Sequence, residues 1–151
     1  MKRILLVCMG NICRSPMAEG VLRGRVAAAG LSAQFEFDSA GTLDAHANEP
    51  PDPRAQRVAA AHGYDISHLR ARQVRSDDFV RFDLLLAMDR NNLAALQRMT
   101  PSAAQDKLRL FMSLADTASA EDVPDPYYGS LAGFERVLAL CEAAASGLLR
   151  E

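Results

Sequence analysis

The chain has 151 residues, 49% of them apolar and 24% charged, and its 17 basic and 19 acidic side chains leave a net charge of −2. That length predicts one domain spanning residues 1–151, and the charge balance excludes the broad basic field that nucleic-acid binding requires. No apolar run approaches the roughly 18 residues of a membrane span. The opening MKRILLV has a basic start, but its apolar run is too short for a signal peptide and is broken by Asn11, Cys13 and Arg14. The expected location is therefore cytoplasmic. Three cysteines, an odd number, do not read as a disulfide framework.

KRILLV is a short β-rich run and predicts the first strand. Ser15-Pro16 then offers a helix start, and the following helix ends near Gly30 with Ala18, Leu22, Val26 and Ala29 on one stripe. QFEFDS (34–39) predicts a second strand, and AGTLDAHANEPPDP (40–53) a long loop. Residues 54–62 resume helix up to Gly63. The apolar run FDLLLAM (82–88) suits a central parallel strand, Asp89 caps a helix over RNNLAALQRM, and KLRLF (107–111) is a shorter fourth strand. Residues 115–130 form a second long polar loop. The last helix carries Phe134, Val137, Leu138, Cys141, Ala145 and Leu148 at helical spacing. Strands alternating with helices predict an α/β fold built around a parallel sheet. In such sheets ligands bind beyond the carboxyl ends of the strands, which is where CMGNICRS (8–15) falls.

That octapeptide has two chemistries open to it besides a plain turn. A thiolate is favoured at a helix N-terminus and beside positive charge, and Cys8 has both the helix start and Arg14 nearby. Met9, Gly10, Asn11, Ile12 and Cys13 can turn their amides inward as an anion nest, with Gly10 and Asn11 the types best able to adopt positive φ. A phosphate monoester dianion fits such a nest, with Arg14 as a planar fork and Ser15 donating to the thiolate or capping the helix. A metal site lacks a second Cys or His pair at recognisable spacing. Displacement at a phosphate also needs a proton donor for the leaving oxygen, and PDPYYG (124–129) holds Asp125 between two prolines beside Tyr127 and Tyr128. An ordinary proline turn with two part-exposed tyrosines explains the same letters.

VCMGNICRSPMAEG, MDRNN and DPYYG together resemble the low-molecular-weight protein tyrosine phosphatases, and the likeness extends along the whole chain, including DPRA at 52–55. The resemblance implies a single-domain four-stranded parallel sheet with helices on both faces, the phosphotyrosine phosphatase I-like, Rossmann-like three-layer fold. It implies no metal and no organic cofactor. The implied activity is hydrolysis of phosphotyrosine and small aryl phosphates, with inorganic phosphate or vanadate as inhibitors. By the same resemblance Cys8 becomes phosphocysteine, Arg14 holds the phosphate oxygens and Asp125 is general acid, then base. Ser15 supports the thiolate, Asn11 holds the unusual loop backbone with Ser39 as hydrogen-bond partner, and Cys13 is the thiol that can form a reversible disulfide with Cys8.

Two departures stand out. The family usually places a large aromatic residue at the position of Ala45, so SAGTLDAH implies a smaller or more open pocket wall, with Leu43, Tyr127 and Tyr128 as its apolar surface. The family's His-x-Ala-Arg-Gln reads LRARQ (69–73) here, with His68 one place early. Among related activities, thiol-dependent arsenate reductases need two further cysteines, and Cys141 sits on the apolar stripe of the last helix. Protein-arginine phosphatases typically carry Thr where this chain has Ile12. A phosphocysteine carrier of sugar transport has no use for Asp125.

Overall fold

In a computed structural model the chain is described over residues 1–115 and 120–150. Four strands, β1 (Lys2–Cys8), β2 (Phe35–Gly41), β3 (Leu84–Ala87) and β4 (Leu108–Leu110), pair in parallel in the order β2-β1-β3-β4. Among the described residues five helices accompany them: α1 (Arg14–Ala28), α2 (Pro53–Ala61), α3 (Asp78–Arg81), α4 (Arg90–Met99) and α5 (Leu131–Leu149). Short 3-10 segments cover Ser32–Gln34, Ser102–Lys107 and Phe111–Leu114.

The order of the strands explains the unbroken apolar run of β1. Successive side chains of a strand face opposite ways, and β1 has a layer of helices on each side. Ile4, Leu6 and Cys8 join Met17, Leu22, Phe134, Leu138 and Cys141 on the α1 and α5 face. Leu5 and Val7 join Phe79, Phe82 and Leu96 on the α3 and α4 face. Ile4, Leu5, Leu6 and Val7 have no exposed surface, and each buried aliphatic chain of that size contributes about 1.5–3 kcal/mol. Among the described residues no helix is long and apolar enough to cross a membrane.

Several boundaries differ from the sequence expectation. β2 continues through Gly41, because Gly41 N–H bonds to Arg72 O and Val74 N–H to Gly41 O, so a segment beyond the strand extends its pairing. The loop that follows is correspondingly shorter. Helix α1 stops at Ala28, and Ala29 is exposed: Gly30 takes φ 76°, and Leu31 N–H turns back to Val26 O. β3 and β4 are each shorter than their apolar runs, since Phe82 belongs to the end of α3 and Phe111 to a 3-10 turn. The four-residue helix α3 was invisible to periodicity. Of the polar loop expected at 115–130, residues 116–119 lie outside the described residues.

From β1 the chain steps to one side of the sheet, and from β3 to the other. The carboxyl ends of β1 and β3 therefore flank the point where the strand order reverses, which is where open α/β sheets form a ligand crevice.

Candidate active site

Cys8 is the last residue of β1 and Arg14 the first of α1, so five residues make the strand-to-helix turn. Asn11 turns the loop with φ 59°, a conformation Asn tolerates better than most residues. Its side chain locks that turn on three sides. Nδ2 donates to Ser15 Oγ at 2.8 Å and to Ser39 Oγ at 3.0 Å, while Oδ1 accepts Arg72 N–H at 3.0 Å. Ser39 Oγ in turn donates to Glu19 Oε1 at 2.7 Å. Burial pushes the Glu19 carboxyl up, against the opposing pull of Ser39 and Arg23.

Two donors meet the sulfur. Asn11 N–H lies 3.2 Å from Cys8 Sγ, and Ser15 Oγ lies 3.0 Å away. Asn11 Nδ2 donates to Ser15 Oγ, so the Ser15 hydroxyl proton is free to point at a Cys8 thiolate. The helix N-cap is Cys13 and makes no side-chain cap, so Ser15 sits inside the first turn and does not cap it. Gly41 underlies the loop: a Cβ there would lie 2.6 Å from Met9 O and 2.9 Å from Leu43 O.

Arg14 is aimed from behind. Its Nη1 donates to Asp89 Oδ2 at 2.6 Å and to Val123 O at 3.0 Å, and Nη2 lies 3.8 Å from Asp125 Oδ2. Burial works against its charge, but Cys8, Asp89 and Asp125 outweigh it and hold the guanidinium above its ordinary range. Asp89 uses its other oxygen to accept Asn92 N–H at 2.7 Å and cap α4. Asp125 Oδ1 accepts Tyr127 N–H at 3.1 Å, which orients a carboxyl that is otherwise half open to water.

These groups line a cleft of about 100 Å³ formed by residues 8–14 with Leu43, Ala45, His46, Asp125, Tyr127 and Tyr128. Pockets for drug-sized ligands run to roughly 300–1,000 Å³, so the cleft has room for a tetrahedral oxyanion and the near edge of a larger substrate. Tyr127 is partly covered, whereas Tyr128 is 95% exposed and contributes at the rim, edge-on to Tyr127 at 5.0 Å.

Sequence reasoning overlooked four participants. Asp89 was legible as a helix cap but not as the anchor of Arg14. The Val123 carbonyl and the Arg72 amide carry no sequence signal at all. His46, whose ring lies 6.2 Å from that of Tyr127, was passed over inside a loop read for its missing aromatic residue. His68 is exposed on a groove near Tyr64, and the LRARQ segment reaches Asn11 through the main chain of Arg72. Cys13 is buried, and burial, with Asp52, Cys8 and Asp125 adding to it, pushes its thiol up to about 12. Cys141 lies fully inside the α5 core. Among the described residues no group of three or more His, Cys, Asp or Glu side chains is placed to hold a metal ion.

A cysteine and an arginine close one loop at the carboxyl edge of a four-stranded parallel sheet, an arrangement that fits the class of small phosphatases. The sequence profile of the low molecular weight phosphotyrosine protein phosphatases matches residues 3–151. A low molecular weight protein-tyrosine-phosphatase of Streptomyces coelicolor is 49% identical over 150 residues, covering 97% of this chain and 91% of that protein. The human low molecular weight phosphotyrosine protein phosphatase is 37% identical, covering 99% and 95%. A protein tyrosine phosphatase from Entamoeba histolytica, crystallised with Hepes in its active site, superposes with a TM-score of 0.94 at 36% identity, covering 99% of this chain and 96% of that one. The chain belongs to the low molecular weight phosphotyrosine protein phosphatase family, and its activity is that of a protein-tyrosine phosphatase.

Proposed function

We propose that residues 1–151 work as one catalytic domain that hydrolyses phosphotyrosine on proteins, and small aryl phosphates, through a phosphocysteine on Cys8. The observation that carries this is the convergence of Ser15 Oγ and the Asn11 amide on Cys8 Sγ, beside a guanidinium anchored by Asp89. The Cys8 thiolate attacks phosphorus; the S–P bond forms as the bond to the aryl oxygen breaks. Loop amides and the Arg14 fork hold the remaining phosphoryl oxygens. A tyrosine oxygen leaves as a phenolate whose conjugate acid has a pKa near 10, and Asp125 supplies its proton. The Asp125 carboxylate then takes a proton from water, whose oxygen bonds to phosphorus as the S–P bond breaks, releasing phosphate and the thiolate.

Inorganic phosphate and vanadate compete for the same loop, and Leu43, Ala45, Tyr127 and Tyr128 receive the aryl group. A related Vibrio vulnificus protein was crystallised with benzylphosphonate, an aryl ring one carbon from phosphorus, and that shape suits this cleft. Because the nucleophile works only while reduced, the reducing cytoplasm is the proposed location. Cys13 is the proposed partner for a reversible disulfide with oxidised Cys8. Its thiol, held up to about 12 by burial, makes that closure slow at neutral pH.

The test is turnover of 4-nitrophenyl phosphate at mildly acidic to neutral pH, with reductant and EDTA present, by the wild type and Cys8→Ser. The variant should lose turnover and still bind vanadate. A Cys8→Ser protein that retains substantial activity removes the phosphocysteine from the mechanism.

A further inference from the structure

We infer that Arg54 is a positioning residue for Asp125 and acts through the main chain of Tyr127; the inference rests on the assignment of Asp125 as the proton donor. Arg54 lies in the first turn of α2, where Asp52 is the N-cap. The cap itself needs only the main chain of Arg54, whose N–H reaches Asp52 Oδ1 at 2.8 Å. The side chain does something a cap does not require. Asp52 grips it from one edge, with Nε at 3.1 Å from Oδ1 and Nη2 at 2.9 Å from Oδ2. The outer protons then reach across to the opposite loop, Nη2 to Tyr127 O at 2.8 Å and Nη1 to Gly129 O at 3.2 Å. Below, the guanidinium rests on the Phe134 ring, with Cζ 4.7 Å from its centroid.

Both ends of this bridge touch the chemistry. Asp52 N–H donates to Ile12 O at 2.8 Å, which ties the bridge to the phosphate loop. At the other end Tyr127 is held by its carbonyl, while its N–H is the donor that fixes Asp125 Oδ1 at 3.1 Å. With Oδ1 engaged, Oδ2 is the oxygen left to carry the transferable proton, and it is the one that faces Arg14. The segment bearing Asp125 is thus pinned twice by guanidinium groups. Arg14 holds it upstream at Val123 O, and Arg54 holds it downstream at Tyr127 O and Gly129 O. Releasing the downstream pin frees the Tyr127 main chain, on whose N–H the orientation of the carboxyl depends, and lets the carboxyl move out of line with the leaving oxygen.

The experiment compares kcat/KM on 4-nitrophenyl phosphate, a good leaving group, with that on phenyl phosphate, a poor one, for Arg54→Ala, Arg54→Lys, Asp125→Ala and Arg54→Ala/Asp125→Ala. kcat/KM covers the first phosphoryl transfer, the step in which the leaving oxygen is protonated. General acids contribute about 10²–10⁴-fold and small misplacements cost up to about 10²-fold, so Arg54→Ala should lose about tenfold or more on phenyl phosphate and less than about threefold on 4-nitrophenyl phosphate. In the Asp125→Ala background the same substitution should add no further discrimination between the two esters. An equal loss on both esters, or discrimination that persists without Asp125, overturns the positioning role. Asp125→Ala slowing both esters equally overturns instead the acid assignment beneath it. Arg54→Lys keeps a cation over Phe134 but cannot span Asp52 and both carbonyls, so it carries the same comparison if Arg54→Ala fails to fold.

Discussion

Asp89 is asked to accept from two donors in different directions, and only a carboxylate can do both. Oδ1 takes Asn92 N–H at 2.7 Å and Oδ2 takes Arg14 Nη1 at 2.6 Å. An asparagine has one oxygen, and its amide group donates. Asp89→Asn therefore keeps either the cap or the arginine contact and sets donor against donor at the other. The cap is worth about 1 kcal/mol, and a hydrogen bond to a charged group about 1.5–3 kcal/mol. Screening discounts little of this, because the Arg14 side chain is 4% exposed and that of Asp89 18%. Asp89→Asn should then lose about 1–3 kcal/mol, whichever contact it keeps. Both variants remove the counter-charge of the buried guanidinium, but Asp89→Ala also loses both polar contacts where asparagine keeps one, so it should cost more, about 3–5 kcal/mol. Urea unfolding at neutral pH measures both variants. An asparagine variant within about 0.5 kcal/mol of the wild type, or equal losses for the two substitutions, would refute the two-oxygen argument.

Three further outcomes are expected. The Cys13 thiol titrates near the ordinary 9.0 when unfolded but about 12 when folded, so its contribution to stability is complete below pH 9 and falls by about 1.4 kcal/mol per unit as pH rises towards 12. Cys13→Ala should flatten the alkaline limb of stability against pH, and an unchanged limb would sink the assignment. At Gly147 an added Cβ would overlap the carbonyl oxygen of Leu114, so Gly147→Ala should destabilise by about 1–3 kcal/mol; thermal unfolding decides, since helix propensity alone predicts a gain of about 1 kcal/mol. Ala45→Trp adds an aromatic wall at the cleft beside His46 and Tyr127, and a new aromatic contact of about 0.5–1.5 kcal/mol should lower KM for aryl phosphates about two- to tenfold with kcat little changed. A change confined to kcat would place the effect in the chemistry instead of the wall.

What the sequence made legible was what lies contiguous along it. Cys8 to Ser15 are consecutive, so the loop that gathers them announces itself, and the apolar run before it marks a strand buried on both faces. Asp125 could be singled out because two prolines frame it. The supporting contacts have no such signature. Arg72 reaches Asn11 with a main-chain amide across 61 residues, and Val123 reaches Arg14 with a carbonyl across 109; any residue but proline could supply the first, and any residue the second. Asp89 showed one of its two duties, because a capping aspartate satisfies local expectation with a single oxygen. The short β3 and α3 went astray for a related reason: hydrophobicity records that Phe82 is buried, not which element buries it.

The different anchoring of Cys8 and Asp125, the proposed nucleophile and proton donor, bears on how the enzyme should age. Cys8 ends a strand with a neighbour on each side and at most 3% exposure from Ile4 onwards. Amides of such a strand exchange with solvent only when the whole molecule opens, whereas a segment held by a few side-chain bonds opens locally at much lower free energy. The Asp125 segment is nearer the second kind: beyond Val123, which is buried and whose N–H bonds to Met88 O at 2.8 Å, its carbonyls are held by Arg54 and its carboxyl is partly open to water. If Asp125 is the proton donor, mild heat or denaturant should therefore detach it while the loop of residues 8–15 is still intact. A stressed preparation should then change its ranking of substrates before it stops working, and an assay built on an activated ester should be the last to notice.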